Sequence, residues 1–292
     1  MTSILPGAGA ALLVLLGGSI PWAGFGPLRG LSTWNQHVGT TLPWSIVPMA
    51  LYLWAYFSFI GGRWGAGGAT CRRNNLRANP LPWRVWGVAL PAGLLGFGAI
   101  LAFLALSARL IRMPDGESIV APAGMPVSTM FALLVMQSVV AGVTEESAFR
   151  GYMQSIVARR SGETIAILAS GALFGLLHFP NHPADVAVML PYYIVVSAMY
   201  GGLTWAANSI WPALVLHCVG DIVMLTRWWL TGYPEWQLSA TMPSLVWESG
   251  IDVGFIATLL VAVVLSAATL SAYRVVRARR LQSGPVLGRG VS

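Results

Sequence analysis

Eight apolar windows, each long enough to cross about 30 Å of hydrocarbon at roughly 1.5 Å per residue, recur near residues 5–25, 43–61, 85–107, 127–145, 163–180, 187–206, 210–230 and 253–273. A chain so patterned has few folds open to it. Inside a bilayer the backbone N–H and C=O groups must be satisfied within the segment itself, so runs of this length become transmembrane helices. The expected fold class is all-α, a polytopic membrane helix bundle of about eight transmembrane helices. With 56% hydrophobic and only 9% charged residues among its 292, the chain is not an ordinary globular domain.

All 17 basic residues are arginines, and the net charge is +7. Such a charge could mark an acidic partner such as nucleic acid, but its placement argues for topology and for contact with the lipid bilayer. Thirteen of the 17 fall on one side of an eight-span arrangement: in the loop holding Arg63 to Arg84, around Arg150, Arg159 and Arg160, and in the tail from Arg274 onward. The positive-inside rule then places both termini in the cytoplasm, for a protein expected in a bacterial plasma membrane. Trp44, Trp64, Trp83, Trp205, Trp211, Trp228 and Trp229 sit near span ends, as an aromatic belt would. The N-terminus lacks a basic n-region, so the first span is expected to stay. Residues 1–280 read as a single transmembrane domain and 281–292 as a disordered cytoplasmic tail. Arg63 to Arg84 reads as a flexible loop, and Thr231 to Gly250 as an external segment along the interface. Cys71 and Cys218 are too differently placed to form a disulfide, and Cys218 reads as small core filler.

Against this apolar background, the stretch Thr144-Glu145-Glu146-Ser147-Ala148-Phe149-Arg150-Gly151-Tyr152 stands out. It sets two carboxylates and a guanidinium at the end of the run from Val127 to Val143, where ionisable groups must be solvated, paired or catalytic. Glu146 and Arg150 are four apart, share a helical face and can pair. Glu145 is rotated about 100° from Glu146, which leaves one carboxylate neutralised and one available. Two further spans carry buried ionisable groups at i, i+4 spacing: Phe174 with His178, and His217 with Asp221. Any one intramembrane histidine could simply hydrogen-bond a neighbouring helix. Together the six groups on three helices are expected to face one another or a water-filled cavity.

Spacing supports part of that convergence. With a turn at Ser161-Gly162, Glu145 and His178 lie equally far from it, which predicts that they face each other in a helical hairpin. His217 lies only about ten residues, roughly 15 Å, beyond the turn near Asn208, whereas His178 is close to the opposite turn at Asn181-His182-Pro183. A late start of span six at Pro191, with 181–190 folded back into the protein, reconciles the depths, since Pro suits the first turn of a helix. His37 and His182 read as exposed polar residues of connectors.

Read in order, these motifs resemble those of the CPBP or Abi family of intramembrane endopeptidases, which includes Rce-type CAAX prenyl proteases and bacteriocin-processing and self-immunity proteins. The family pattern of Glu-Glu-x-x-x-Arg, Phe-x-x-x-His and His-x-x-x-Asn/Asp reads here as Glu145-Glu146 to Arg150, Phe174 to His178, and His217 to Asp221. The resemblance covers about 127–225. Prenyl-protein-processing members tend to carry Asn where this chain has Asp221, and an aspartate donates a hydrogen bond only when protonated.

The resemblance implies peptide hydrolysis, which requires a base to activate water and donors to stabilise an oxyanion. Glu145 is the best base. By resemblance, His178 helps hold or deprotonate the water, His217 and Asp221 line the oxyanion side, and Glu146 with Arg150 is the supporting pair. Ser147 lacks the GxSxG setting of a nucleophile. Glu145, His178 and His217 could instead ligate a divalent metal such as zinc, although no HExxH is present. The expected partner is a peptide or protein substrate entering the membrane cavity, with no nucleic acid. Two alternatives stay open: an ion-coupled transporter, since buried Glu/His/Asp chains also relay protons, and a non-catalytic self-immunity or scaffold protein of the same fold. An inverted repeat, the mark of many transporters, is absent from the sequence.

Overall fold

The computed structural model describes residues 3–25, 27–116, 118–178 and 183–283. About three quarters of these residues are helical, and the chain is an integral membrane protein of all-α, polytopic build. Among the described residues, six helices are long and apolar enough to cross a membrane. One of these runs from Val127 to His178, 52 residues, and is interrupted at Gly162, whose φ of 80° takes the backbone out of helical conformation. The turn expected at Ser161-Gly162 is this break, and a left-handed φ is the geometry that glycine supplies without steric cost. The window near 43–61 becomes a shorter apolar helix of 15 residues, Ile46–Ile60.

The chain divides into two compact units. The first comprises residues 1–76, 114–166 and 217–242. It holds α1 (Ile4–Ala23), α2 (Leu31–His37), α3 (Ile46–Ile60), α4 (Ala69–Leu76), α6 (Val127–Glu145), a π-helix (Glu146–Met153), the start of α7 (Gln154–His178) and most of α9 (Trp211–Thr231). Between α1 and α2, β1 (Gly24–Phe25) and β2 (Leu28–Arg29) form a two-residue antiparallel pair. Small residues set how closely these helices approach, because packing rather than a hydrophobic force holds helices together in lipid. A Cβ on Gly18 of α1 would run into Thr144 of α6 and lie 2.9 Å from Tyr56 Cζ of α3. Polar side chains complete the joins: Tyr56 Oη donates to Val14 O at 2.6 Å, Trp22 Nε1 to Gln137 Oε1 at 2.6 Å, and Tyr152 Oη to Ile60 O at 2.7 Å.

The segment expected to be a flexible loop is ordered. Its first part folds around Arg72, which donates to Phe59 O at 2.8 Å, Gly67 O at 2.6 Å and Trp64 O at 2.7 Å. Its next eight residues form α4. A low-hydropathy helix with no apolar stripe gives no periodic signal, which is why the sequence reads as loop.

The second unit comprises residues 77–113, 167–216 and 243–292. It holds α5 (Trp83–Leu110), the end of α7, α8 (Pro183–Ala207), the start of α9, α10 (Val246–Ser249) and α11 (Val253–Gln282). α5 and α11 run antiparallel. Arg109 near the end of α5 holds Asp252 at the start of α11 at 2.7 Å, and Gly96 lies against Tyr273 near its far end. Tyr273 Oη also donates to Met199 O of α8 at 2.9 Å. The late start expected for span six is corrected: α8 is helical from Pro183 and continues through Pro191. Pro183 takes the first-turn place, and Pro191 inside the helix deprives the carbonyl four residues back of its usual donor. Residues 179–182, with the expected turn and His182, lie outside the described residues, as does the tail from 284; Leu281 and Gln282 still belong to α11. In the stretch from Thr231 to Gly250, Trp247 is exposed, but Trp236 is buried and donates Nε1 to Pro114 O at 2.8 Å.

Candidate active site

At the end of α6 the helix widens into a π-helix over Glu146–Met153, and all eight of its residues are buried. π-turns are rare and recur at functional sites, because the extra residue in the turn re-aims the side chains on either side. This one is the Glu-Glu-x-x-x-Arg stretch itself. Within it, Arg150 Nη1 lies 3.2 Å from Glu146 Oε1, with both side chains fully buried. A buried guanidinium or carboxylate standing alone would be costly, and the pair meets that cost.

The same carboxylate oxygen has a second partner on another helix. His217 Nδ1 donates to Glu146 Oε1 at 2.7 Å. A carboxylate on one ring nitrogen fixes both the tautomer and the plane of an imidazole. The remaining nitrogen, Nε2, lies 3.7 Å from Glu145 Oε2 and 3.5 Å from Asp221 Oδ2. Those separations exceed a direct hydrogen bond and suit groups that share a water. Exposure grades across the cluster: Glu146 and Arg150 are at 0%, His217 at 6%, Glu145 at 19% and Asp221 at 29%. The polar end is thus open and the anchoring end sealed.

What lets α9 reach α6 here is again a missing side chain. A Cβ on Gly142, one turn before Glu146, would run into Cys218 Sγ and lie 3.2 Å from the Cys218 backbone N. Cys218 is the small filler that the sequence suggests, and its neighbour His217 is brought onto the two glutamates by this approach.

Five sequence-selected residues therefore form one cluster in the first unit: Glu145, Glu146, Arg150, His217 and Asp221. Glu146 does more than pair with Arg150, since it also positions His217. Sequence reasoning missed this link because it joins residues 71 apart on different helices. The sixth residue, His178, ends α7 in the second unit. Its Nδ1 donates to Phe174 O at 2.7 Å, and its ring lies against Phe174, 4.3 Å between centroids, and Tyr193, 4.4 Å. The Nδ1 proton is committed to that carbonyl. Among the described residues no group of three or more His, Cys, Asp or Glu is arranged to hold a metal ion. His37, read as a connector residue, ends α2, where it is exposed and bonds to Thr33 O at 2.7 Å.

Residues 127–223 match the family model described as type II CAAX prenyl endopeptidase Rce1-like. No curated protein and no solved structure matches the chain. The matched segment runs from α6 into α9 and contains every residue of the cluster together with His178.

Proposed function

We propose that this chain, whose residues 127–223 match the Rce1-like family model, is an intramembrane endopeptidase hydrolysing a peptide bond presented within the bilayer. The observation that carries the reading is the meeting of a half-open carboxylate, Glu145, with an oriented imidazole, His217, and a second carboxyl group, Asp221, around Nε2. This is the equipment for moving a proton and meeting a developing negative charge.

Glu145 serves as the base. Glu146 is sealed and engaged by Arg150 and His217, whereas the Glu145 side chain keeps 19% exposure. It takes a proton from a water shared with His217 Nε2, and the hydroxide so formed adds to the scissile carbonyl carbon. The C–N bond then breaks as Glu145 returns that proton to the leaving amine nitrogen. Carrying a proton on Nε2, His217 donates to the oxyanion, and Asp221 does so in its protonated form. The resemblance to the family implies a catalytic role for His178 as well. The arginine distribution supports cytoplasmic termini.

The test uses purified full-length protein in liposomes with quenched peptides, prenylated and unprenylated. Glu145→Gln is expected to lower cleavage by roughly 10²- to 10⁴-fold, the scale of a lost general base, with helicity unchanged by circular dichroism. Cleavage by Glu145→Gln at the unaltered rate overturns the assignment. A preference between the two peptides decides the substrate class.

A further inference from the structure

The basic end of α11 lies outside the site and has no role in the reaction described. α11 is 30 residues long, about 45 Å at 1.5 Å per residue, against roughly 30 Å of hydrocarbon. Its last turns therefore leave the apolar layer. They carry Arg274, Arg277, Arg279 and Arg280, the first three exposed and Arg280 half-buried.

Antiparallel packing within the second unit brings two other ends to this level. α5 begins here, with Trp83 77% exposed and the Arg84 guanidinium 5.8 Å from its ring centroid. α8 ends here, where the Arg277 guanidinium lies 4.5 Å from the Trp205 ring centroid. Tryptophan at a helix end marks the headgroup layer of a bilayer, and each of these two carries an arginine on its face.

The carboxylates of this unit lie elsewhere. Asp252 and Glu248 are at the opposite end of α11, bound to Arg109 and Arg112. Asp185 is in the first turn of α8, at the far end of that helix from Trp205. None of the described ion pairs includes Arg84, Arg274, Arg277, Arg279 or Arg280, and Arg280 Nε is buried without a hydrogen-bond partner among the described residues. Arginines three apart on one helix repel, so this face is suited to an anion that the unit does not itself provide. Guanidinium forks match phosphate oxygens in pairs.

We propose that Arg277, which lies over Trp205, and Arg280, three residues on along α11, form a site for the phosphate headgroup of an anionic phospholipid, with Arg84, Arg274 and Arg279 adding to the field. The source is the bilayer, since the ring faces and the helix ends are at headgroup depth. The site is separate from the glutamate and histidine cluster and does not depend on the peptidase reading.

Native mass spectrometry of the full chain, released from micelles doped with equal phosphatidylglycerol and phosphatidylcholine, tests it. The unaltered protein is expected to retain phosphatidylglycerol over phosphatidylcholine by roughly thirtyfold, the equivalent of about 2 kcal/mol for two arginines at the surface. Arg277→Gln/Arg280→Gln is expected to fall to near parity, and Arg277→Lys/Arg280→Lys, which keeps the charge, to hold most of the preference. Equal enrichment in the unaltered and glutamine proteins overturns the proposal. So does displacement of the lipid by millimolar inorganic phosphate, which identifies a free-anion site instead.

Discussion

His217 Nδ1 and Glu146 Oε1 are 2.7 Å apart in a fully buried contact that joins α9 to the π-helix. Glu146 touches no open surface, so its effect on chemistry passes through the imidazole. Glu146→Gln keeps an acceptor for Nδ1 but removes the charge that holds the ring. Turnover is expected to drop by roughly 10- to 100-fold, the usual scale for carboxylates that orient a working histidine. KM should stay near that of the unaltered protein, because no substrate contact is lost. Steady-state kinetics that split kcat from KM check this, and a change confined to KM contradicts it.

The approach of α9 to α6 depends on Gly142. Adding a methyl group there drives Cβ into Cys218 Sγ, and overpacking of this kind costs about 1–3 kcal/mol. Gly142→Ala should lower both the melting temperature in detergent and the peptidase rate, since it moves His217 off the glutamates. Cys218→Ala shortens the opposing side chain and should restore part of each in the double variant. Strict additivity of the two changes would mean that the residues do not press on each other.

How much of this was legible in the sequence depends on the range of the interaction. The Glu146 and Arg150 pair is local, set by four-residue spacing, and the break at Gly162 follows from a residue that tolerates positive φ. The apolar spans are legible because the bilayer permits so few structures. α4 was not, since a short polar helix has no apolar period, and neither was the passage of α8 through Pro191, which is favoured by tertiary packing against a local preference. The meeting of His217 with Glu146 is long-range. Its only trace in the sequence is a glycine one turn from a glutamate and a cysteine beside a histidine, a pattern too common to single out.

His178 is held by stacking as well as by its bond to Phe174 O. Tyr193 lies 4.4 Å from the imidazole centroid at 30° and is itself buried. Tyr193→Phe should leave cleavage nearly unchanged because the ring face remains. Tyr193→Leu removes it and should lower kcat several-fold without unfolding the protein. Loss of cleavage in both variants to the same degree would point to the hydroxyl instead.

Away from the site, Asp252 caps α11, accepting from Phe255 N at 2.7 Å, and is bound by Arg109. The hydrogen bond from Arg109, aided by that backbone N–H, holds the Asp252 carboxyl below its ordinary range. A group whose folded-state value is depressed stabilises above its unfolded value, and that stabilisation is lost as pH falls through the folded one. The difference in melting temperature between the unaltered protein and Asp252→Asn should therefore be constant at neutral pH and shrink as pH falls through the acidic range below 4. A difference that grows on acidification contradicts this linkage.

The charge pair itself makes the sharpest stability test. Arg150→Met removes the cation but leaves Glu146 buried at 0% exposure beside His217. Breaking a buried pair from one side costs about 3–5 kcal/mol, because the remaining charge loses its partner and cannot reach water. Replacing Glu146 by Gln in the same chain removes that stranded charge. Arg150→Met/Glu146→Gln should thus be more stable than Arg150→Met alone, although it carries one more substitution. Thermal unfolding of the three proteins in the same detergent decides it. If the double variant is the less stable, Glu146 is satisfied without Arg150, and the imidazole of His217 rather than the guanidinium is what keeps its charge inside the membrane.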